Sequence, residues 1–384
     1  MDVIGIICEY NPFHNGHRRQ IRWLREKFGP EAAIVCLMSG NYVQRGYPAI
    51  VDKTIRARAA VAAGADLVLE LPAPYVLSSA EGFAAGGVSI LGSFCDYLCF
   101  GSESGNTDEL LRTAELLLSP EFPPLLRDKL AEGISFPAAR QAALAALGAS
   151  PELTLRPNNI LAEEYCKAIL AQGSPMKPLA LCRPGDYHAR QADVENPSAT
   201  AVREAMETGR SWEALVPDDS LLKHASLHTL KAGERAILAR LRTMTDEDFA
   251  ALPYGAEGLW RKLMHESRRR ATLEEILTHV KSKRYTRSRL DRMVMCAFLG
   301  LSEERLRQGA PYCRVLSFTT LGRRVLKNAR QVTAIYNLGQ TVDDPYQALE
   351  QRWEDLYGLF ALEGPEAPGQ VRKQRVFYAG EQAL

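Results

Sequence analysis

Short apolar runs alternate with amphipathic stretches over the first 215 residues of the chain. The amphipathic stretches predict helices at 17–28, 53–63, 79–91, 107–118, 122–132, 137–147 and 158–171, and the apolar runs predict strands at 3–8, 33–38, 66–71, 96–100 and 177–182. Continuous apolar strands separated by helices are typical of a parallel sheet that is covered on both faces. The pattern therefore predicts an α/β fold with a Rossmann-like, doubly wound parallel sheet for residues 1–215.

The alternation ends near residue 216, and the chain from 216 to 384 has a mainly helical periodicity. A short strand at 314–318 and a helix at 321–326 are assigned to this second domain. Its stretch 261–292 contains eleven Lys or Arg against four Asp or Glu, although the whole chain has a formal charge of +1. Cations that contact phosphates and a tyrosine that stacks on an unpaired base would make this stretch an RNA-binding surface, with the candidates Lys283, Arg284, Tyr285 and Arg287. The alternative is a solvated face, because most charge runs are solvated.

Composition narrows the class of protein. A hydrophobic share of 46% and a charged share of 24% are ordinary for a globular chain. No apolar run is long enough to span a bilayer, and the N-terminus lacks the basic region and cleavage site of a signal peptide. The eight cysteines form no C-x-x-C pair and have no histidine at zinc-like spacing. We therefore expect a cytoplasmic protein with neither a membrane partner nor a structural metal.

The most informative segment follows the first predicted strand. His14, Gly16 and His17 lie where an apolar strand gives way to a basic helix. A helix N-terminus has unpaired N–H groups and a positive dipole end, so it favours phosphate. The histidines add donors, and glycine lets the backbone approach a ligand closely. The segment therefore predicts a phosphate site, the alternative being a solvated turn with two incidental histidines.

Other loops at strand ends carry further candidates, since ligands of open α/β sheets collect at the carboxyl ends of the strands. Thr200 and Arg203 share a helix face beside a helix N-terminus, so both can point at one phosphate. Gly101 would allow an adenine or ribose to approach, and either Asn158 or Asn159 could be an N-cap instead of a ligand. Arg183 follows the last strand. Polar groups that could contact a carboxylate or phosphate, or else belong to a solvated loop, are Gln44, Arg45, Lys53 and Arg56.

Two of these segments resemble the signatures of one superfamily. His14-Asn15-Gly16-His17 is similar to the H-x-G-H motif of the nucleotidyltransferase α/β-phosphodiesterase superfamily. The segment from Ser198 to Arg203 resembles its second motif, I-S-S-T-x-I-R, with Ala199 in place of the second serine. The resemblance implies that the histidines stabilise charge on the phosphates of ATP. We assign this catalytic role to His14, His17, Thr200 and Arg203.

A longer resemblance is to the bacterial tRNA(Met) cytidine acetate ligases, and it rests on the segments 5–17, 38–46, 69–72, 100–103, 157–162 and 282–286. It implies an ATP site formed by Gly101, by Asn158 or Asn159, by Arg183, and by the first loop, which comprises Ile7, Cys8, Glu9, Tyr10, Asn11, Pro12, Phe13, His14, Asn15, Gly16, His17, Arg18, Arg19 and Gln20.

The resemblance also implies a reaction. Acetate would attack ATP to give acetyl-adenylate and pyrophosphate, and N4 of the wobble cytidine (C34) in elongator tRNA(Met) would then take the acetyl group. Mg²⁺ is expected on the phosphates on electrostatic grounds. One alternative is an adenylyltransferase or cytidylyltransferase that acts on a small metabolite, which the basic helical region disfavours. Another is a non-catalytic RNA-binding protein with a relic nucleotide fold, which the intact His14, Gly16 and His17 disfavour.

Overall fold

The computed structural model describes residues 1–150, 156–182, 194–329, 334–337, 345–370 and 374–380. Its strands all belong to one large sheet except for a small hairpin formed by β3 and β4. They are β1 (Val3–Cys8), β2 (Ala33–Ser39), β3 (Tyr42–Val43), β4 (Tyr47–Pro48), β5 (Leu67–Leu71), β6 (Tyr97–Ser102), β7 (Lys177–Cys182), β8 (Tyr312–Phe318), β9 (Ala334–Asn337) and β10 (Phe377–Tyr378).

The helices fall between the strands in the first half of the chain and dominate the second half. They are α1 (Asn15–Phe28), α2 (Lys53–Ala62), α3 (Ala73–Val76), α4 (Ala80–Leu91), α5 (Thr107–Leu118), α6 (Phe122–Ala131), α7 (Phe136–Ala146), α8 (Pro157–Ala171), α9 (Ala199–Glu207), α10 (Glu234–Thr243), α11 (Asp246–Ala250), α12 (Leu259–Ser267), α13 (Leu273–Val280), α14 (Arg287–Leu299), α15 (Glu303–Gln308), α16 (Thr320–Lys327) and α17 (Pro345–Tyr357), with 3₁₀ turns at Glu213–Leu215 and Gly358–Phe360.

The large sheet has the order β10–β8–β5–β2–β1–β6–β7, with β9 also paired to β8. Strands β5, β2, β1, β6 and β7 pair in parallel with one another in this order. Helices α1 and α2 cover one face with residues such as Leu24 and Val61, and α4, α5 and α8 cover the other with residues such as Val88 and Leu110. The predicted α/β fold, its five parallel strands and its covering helices are therefore confirmed.

One assignment from the sequence is wrong. The strand at 314–318 was predicted to belong to the helical region, but β8 pairs antiparallel with β5, so that Leu67 lies opposite Phe318. Without this pairing the unpaired backbone groups of β5 would form the edge of the parallel sheet. The missing information is the long-range pairing, since a local pattern shows that a strand exists but not where it pairs.

The helical part of the chain has a core of its own, in which Ile237, Phe249, Leu263, Ile276 and Met293 are buried. This core includes Tyr42 from the hairpin, so it reaches the loops that follow the parallel strands. None of the helices in the described ranges is long and apolar enough to cross a membrane. The division of the chain at residue 215 stays a prediction.

Candidate nucleotide-binding and catalytic site

A cleft of about 290 Å³ opens at the carboxyl ends of β1 and β6. From β1 the chain adds β2 and β5 on one side, whereas β6 and β7 lie on the other side. The cleft therefore lies where the strand order reverses, which is where open α/β sheets bind their ligands. Its walls come from the loop after β1, the β3–β4 hairpin, the start of α4, the end of β6, the start of α8 and the start of α9.

The loop after β1 brings the two histidines of the H-x-G-H segment together. Their rings stack with centroids 3.6 Å apart. His14 is the N-cap of α1, and its backbone N–H donates to Nδ1 of His17 at 3.2 Å. Because Nδ1 accepts this bond, the neutral ring of His17 carries its proton on Nε2. His17 lines the cleft and can donate to a ligand, whereas His14 is 6% exposed and is not among the lining residues.

The β3–β4 hairpin forms the second wall and contributes Gln44, Arg45 and Tyr47. Glu9 joins this wall to the first, because its Oε1 accepts from the backbone N–H of Gln44 at 2.7 Å. Burial raises the pKa of the Glu9 carboxyl, and the Gln44 N–H and the Arg203 guanidinium lower it in part. Burial also raises the pKa of Cys8 and of Tyr10 well above their ordinary values, so both stay neutral.

The N-terminal turn of α9 forms the third wall. Ser198 caps this helix by accepting from the Ala201 N–H, and Thr200 and Arg203 line the cleft. Arg203 donates to the carbonyl of Asn11 at 2.7 Å and to Thr200 Oγ1 at 3.2 Å, and it lies over the ring of Tyr47. One arginine thus ties α9 to both other walls. A helix N-terminus with an arginine one turn further along the same helix is suited to bind phosphate.

Part of the cleft wall is apolar and is lined by Phe83, Phe100, Leu161 and Tyr165. Gly101 and Asn158 lie beside them. Apolar and aromatic walls with a few polar groups suit a flat heterocycle. The sequence did not indicate these four side chains, because aromatic and leucine residues in strands and helices are ordinarily core residues.

The two asparagines of α8 differ in position. Asn158 lines the cleft, and its side chain donates to Glu103 Oε1 at 2.8 Å. Asn159 is buried, and its Oδ1 accepts from Ser102 Oγ and from the backbone N–H groups of Glu103 and Ser104. Asn159 therefore holds the loop after β6, and Asn158 is the one of the two that reaches the cleft.

The remaining residues predicted for the ATP site also fall into two groups, those that line the cleft and those that do not. Besides those already described, Ile7, Cys8, Tyr10, Asn11 and Gln20 line the cleft. The predicted ATP-site residues that do not line it are His14, Asn159 and the group Pro12, Phe13, Asn15, Gly16, Arg18 and Arg19. Phe13 is buried against Tyr10 and His17, so it supports the site instead of lining it. Arg183 lies outside the described residues.

Two basic candidates have structural contacts instead of a place in the cleft. Lys53 is fully buried and pairs with Glu70 at 2.8 Å and with Glu354 at 2.9 Å. Arg56 is also buried and donates to backbone carbonyls, including that of Ser39 at 3.1 Å. A buried cation that is satisfied by protein acceptors is not available to an anionic ligand.

The basic candidates of the helical part lie outside the cleft and have acidic neighbours. Glu257 accepts from Arg284 at 2.8 Å and from the hydroxyl of Tyr285 at 2.7 Å. Arg287 pairs with Glu274 and with Asp291. Lys283 is exposed. Charge–charge pairs on the surface thus neutralise part of the basic excess that the sequence shows.

Comparison with known proteins places this geometry in a family. The model of the HIGH nucleotidyl transferase family matches residues 1–367. A protein of Clostridium novyi named tRNA(Met) cytidine acetate ligase is 36% identical over 368 residues, which cover 90% of this chain and 92% of the relative. A protein of the same name from Kosmotoga olearia is 38% identical over 86% of this chain and 83% of its own. The chain belongs to the tRNA(Met) cytidine acetate ligase family, within the HIGH nucleotidyl transferases.

Solved structures of this family agree with the fold. The crystal structure of apo TmcAL from Thermotoga maritima superposes with a TM-score of 0.89 and 29% identity, and the match covers 99% of this chain and 100% of that one. TmcAL of the same organism bound with alpha-thio ATP superposes with a TM-score of 0.87 and 28% identity, over the same shares of both chains.

The Mg²⁺ expected from the sequence would be bound by the phosphates of the nucleotide and not by a full set of protein ligands. Within the described ranges, no group of three His, Cys, Asp or Glu residues is placed to hold a metal ion. Glu9 is the carboxylate that lines the cleft among the described residues. Mg²⁺ ordinarily binds through one or two carboxylates together with substrate phosphates, so this site fits an ion that is held chiefly by the nucleotide.

Proposed function

We propose that this protein is an ATP-dependent ligase that activates acetate as acetyl-adenylate and transfers the acetyl group to N4 of the wobble cytidine, C34, in elongator tRNA(Met). The observation that carries the proposal is the likeness to relatives of that name over about nine-tenths of the chain. The cleft supports it, since its lining combines groups suited to phosphate with an apolar wall. The relatives are bacterial, and modification of tRNA there is a reaction of the cytoplasm.

In the first step a carboxylate oxygen of acetate attacks the α-phosphorus of ATP. A bond forms between them, and the bond from the α-phosphorus to the pyrophosphate oxygen breaks. Charge builds up on the leaving pyrophosphate, so donors placed in advance lower the barrier. Donors that this cleft offers include Nε2–H of His17, the Arg203 guanidinium and the N-terminus of α9. Mg²⁺ on the phosphates would supply further charge neutralisation when bound.

In the second step N4 of the cytidine attacks the carbonyl carbon of acetyl-adenylate. The new C–N bond forms as the C–O bond to AMP breaks, and the amine loses one proton. The apolar wall of the cleft would hold adenine, with Gly101 and Asn158 beside it. The mixed anhydride stays intact until tRNA arrives only if water is excluded, which a narrow cleft favours.

Exchange of labelled pyrophosphate into ATP tests the proposal. We expect exchange that depends on acetate and acetylation of tRNA(Met) transcripts at C34 when tRNA is added. Exchange that requires another acid would favour a transferase acting on a small metabolite. No exchange with any acid would favour a non-catalytic RNA-binding protein.

We also propose that the surface around Lys283, Arg284, Tyr285 and Arg287 binds tRNA phosphates. Because Arg284 and Tyr285 bond Glu257, RNA would have to displace that carboxylate. Lys283→Ala should weaken binding and reduce the salt slope by about one unit. Glu257→Gln should strengthen binding, since it removes a competing charge. Filter binding at several salt concentrations measures both variants.

Lys129→Ala is the matched control, because Lys129 belongs to an exposed pair with Glu132 on α6. If Lys283→Ala and Glu257→Gln both bind tRNA as Lys129→Ala does, the surface is only solvated and the RNA site lies elsewhere.

A further inference from the structure

The transfer step needs an acceptor for the proton that the cytidine amine loses. The lone pair of this amine is delocalised into the ring, so the amine is a poor nucleophile unless a base takes its proton during the attack. Such a base must lie within hydrogen-bond reach of the amine and must be unprotonated at the working pH. The candidates among the described residues are the titratable groups that line the cleft.

Most of these groups are unsuitable. His17 accepts the His14 N–H at Nδ1 and carries its proton on Nε2, so the ring is a donor toward the cleft. Cys8 and Tyr10 hold their protons, because burial raises the pKa of each well above its ordinary value. Arg45 and Arg203 are permanently charged donors. Among the described residues that line the cleft, Glu9 is the one carboxylate.

We propose that Glu9 is the general base of the acetyl transfer, an inference that rests on the function proposed above. As N4 bonds to the carbonyl carbon and the C–O bond to AMP breaks, one Glu9 oxygen takes the proton from N4. The products are the N-acetylated cytidine, AMP and a neutral Glu9 carboxylic acid. Solvent removes that proton when the products leave, so the protein returns to its starting state.

The contacts of Glu9 fit this role. Its Oε1 is fixed by the Gln44 N–H at 2.7 Å, whereas its Oε2 makes no hydrogen bond with the described residues. One oxygen is thus used to orient the carboxylate and the other is available to a substrate. The hairpin that supplies Gln44 is itself braced, since Arg292 of α14 donates to the Gln44 carbonyl.

The electrostatic surroundings of Glu9 fit as well. Charged groups face it from the hairpin (Arg45), from α9 (Arg203) and from α2 (Arg56). Burial has the largest effect and raises the pKa of Glu9, and the three guanidinium groups oppose that rise. A carboxylate with a raised pKa is a stronger base than an ordinary glutamate, and the three guanidinium groups favour the ionised form that a base requires.

Two substitutions distinguish a Glu9 that acts as a general base from a Glu9 that only makes a structural contact. Glu9→Gln keeps an oxygen that can accept the Gln44 N–H but cannot take a proton, whereas Glu9→Ala also loses the contact. The measurement is single-turnover transfer: enzyme is preloaded with ATP and acetate, tRNA(Met) is added, and acetyl-adenylate and acetylcytidine are followed from pH 5 to 9. Acetate-dependent pyrophosphate exchange is measured on the same samples.

We expect Glu9→Gln to slow transfer by about a hundredfold or more, to slow exchange much less, and to accumulate acetyl-adenylate. In the wild type, transfer should fall as the pH drops through the pKa of Glu9, and this dependence should be absent in Glu9→Gln.

Normal transfer in Glu9→Gln with a loss only in Glu9→Ala would overturn the proposal, because the contact alone would then matter. An equal loss of exchange and transfer would overturn it too, and would assign Glu9 to ATP or Mg²⁺. Wild-type exchange without acetate dependence would instead refute the proposed function.

Discussion

At the first turn of α1, one hydrogen bond both caps the helix and sets the chemistry of His17. The His14 N–H is one of the donors that a helix N-terminus leaves unpaired, and Nδ1 of His17 satisfies it. A histidine that accepts at one nitrogen donates from the other, so the capping bond fixes Nε2–H as the group offered to the cleft. The spacing of two residues between the histidines is therefore the spacing of an N-cap and its N3 position.

The substitution His17→Asn distinguishes the capping role of His17 from its role as a donor to the cleft. The side-chain oxygen of asparagine can accept the His14 N–H in place of Nδ1, but no group replaces Nε2–H. We expect acetate-dependent pyrophosphate exchange to fall by about a hundredfold or more, since that is the usual cost of one lost charge-stabilising donor. Thermal unfolding should be nearly unchanged. Normal exchange, or a protein that no longer folds, would contradict the assigned role.

Asn158 and Asn159 are adjacent in the sequence, which alone does not show which of the two reaches the cleft. Both lie in the first turn of α8, whose N-cap is Arg156, so neither is the N-cap that the sequence allowed, and only the packing separates them. Asn159→Ala leaves buried groups of the β6 loop without an acceptor, so we expect a loss of about 1–3 kcal/mol in the free energy of unfolding. Asn158→Ala should instead raise the KM for ATP with little loss of stability. Urea unfolding and exchange kinetics on both variants measure this, and equal effects on stability would refute the distinction.

At the scale of elements, the β3–β4 hairpin links the cleft to the helical part of the chain. The sequence predicted a polar loop here, because two strands of two residues leave no periodic pattern. Gly46 has φ +85° in the turn, and a Cβ added to it would lie 2.5 Å from the carbonyl carbon of Asp291 and also meet the Arg292 backbone. The hairpin that carries Gln44, Arg45 and Tyr47 is thus seated directly on α14.

Gly46→Ala should disturb this seat. Any L-residue at a positive φ costs about 1–2 kcal/mol, and here the added methyl group also clashes with backbone that cannot move freely. The matched control is Gly133→Ala, because Gly133 has φ +79° with nothing within 4 Å of the added Cβ. We expect both variants to lose stability but only Gly46→Ala to lose exchange activity and tRNA acetylation. Equal activity in the two variants would show that the contact between the hairpin and α14 does not affect the function of the cleft.

The elements that were predicted correctly have a strong hydrophobic pattern in the sequence. Strands β1 and β2 are almost continuously apolar because helices cover both faces, and helices such as α5 have strong amphipathic patterns. Motif and position together indicated His17, Thr200 and Arg203 at the cleft. The apolar wall of Phe83, Phe100, Leu161 and Tyr165 was not predictable, since only the folded chain distinguishes an aromatic side chain at a cleft from one in the core.

At the scale of the whole molecule, a buried charge network joins residues far apart in the sequence. Lys53 of α2 pairs with Glu70 of β5 and with Glu354 of α17, and Arg314 of β8 donates to Glu350 of α17 at 2.7 Å. Three carboxylates thus face two cations. Burial raises the pKa of Glu354 to about 7, with Lys53 opposing the rise and Glu70 adding to it. No local pattern predicts this network, because its partners meet only through the sheet and the last long helix.

The sign of the pH dependence follows from the raised pKa of Glu354. Between its ordinary value near 4.5 and about 7, the folded chain holds a proton that the unfolded chain has lost. The contribution of this group to stability is therefore fully present below about pH 4.5 and is lost as the pH rises through 7. A variant that removes the central cation should extend this trend, because the carboxylates then need more protons to stay buried.

Lys53→Met removes that cation. At pH 8 we expect a loss of about 3–5 kcal/mol in the free energy of unfolding, since breaking a buried pair leaves uncompensated charge. At pH 5.5 the loss should be smaller, because Glu70 and Glu354 can take up protons and become neutral. Urea unfolding at the two pH values measures the difference, with Lys129→Met as the control because Lys129 belongs to an exposed pair with Glu132 and should change stability little at either pH. An equal loss in Lys53→Met at both pH values would mean that the three carboxylates are already neutral or well solvated, and that the network does not hold the last long helix to the sheet by charge.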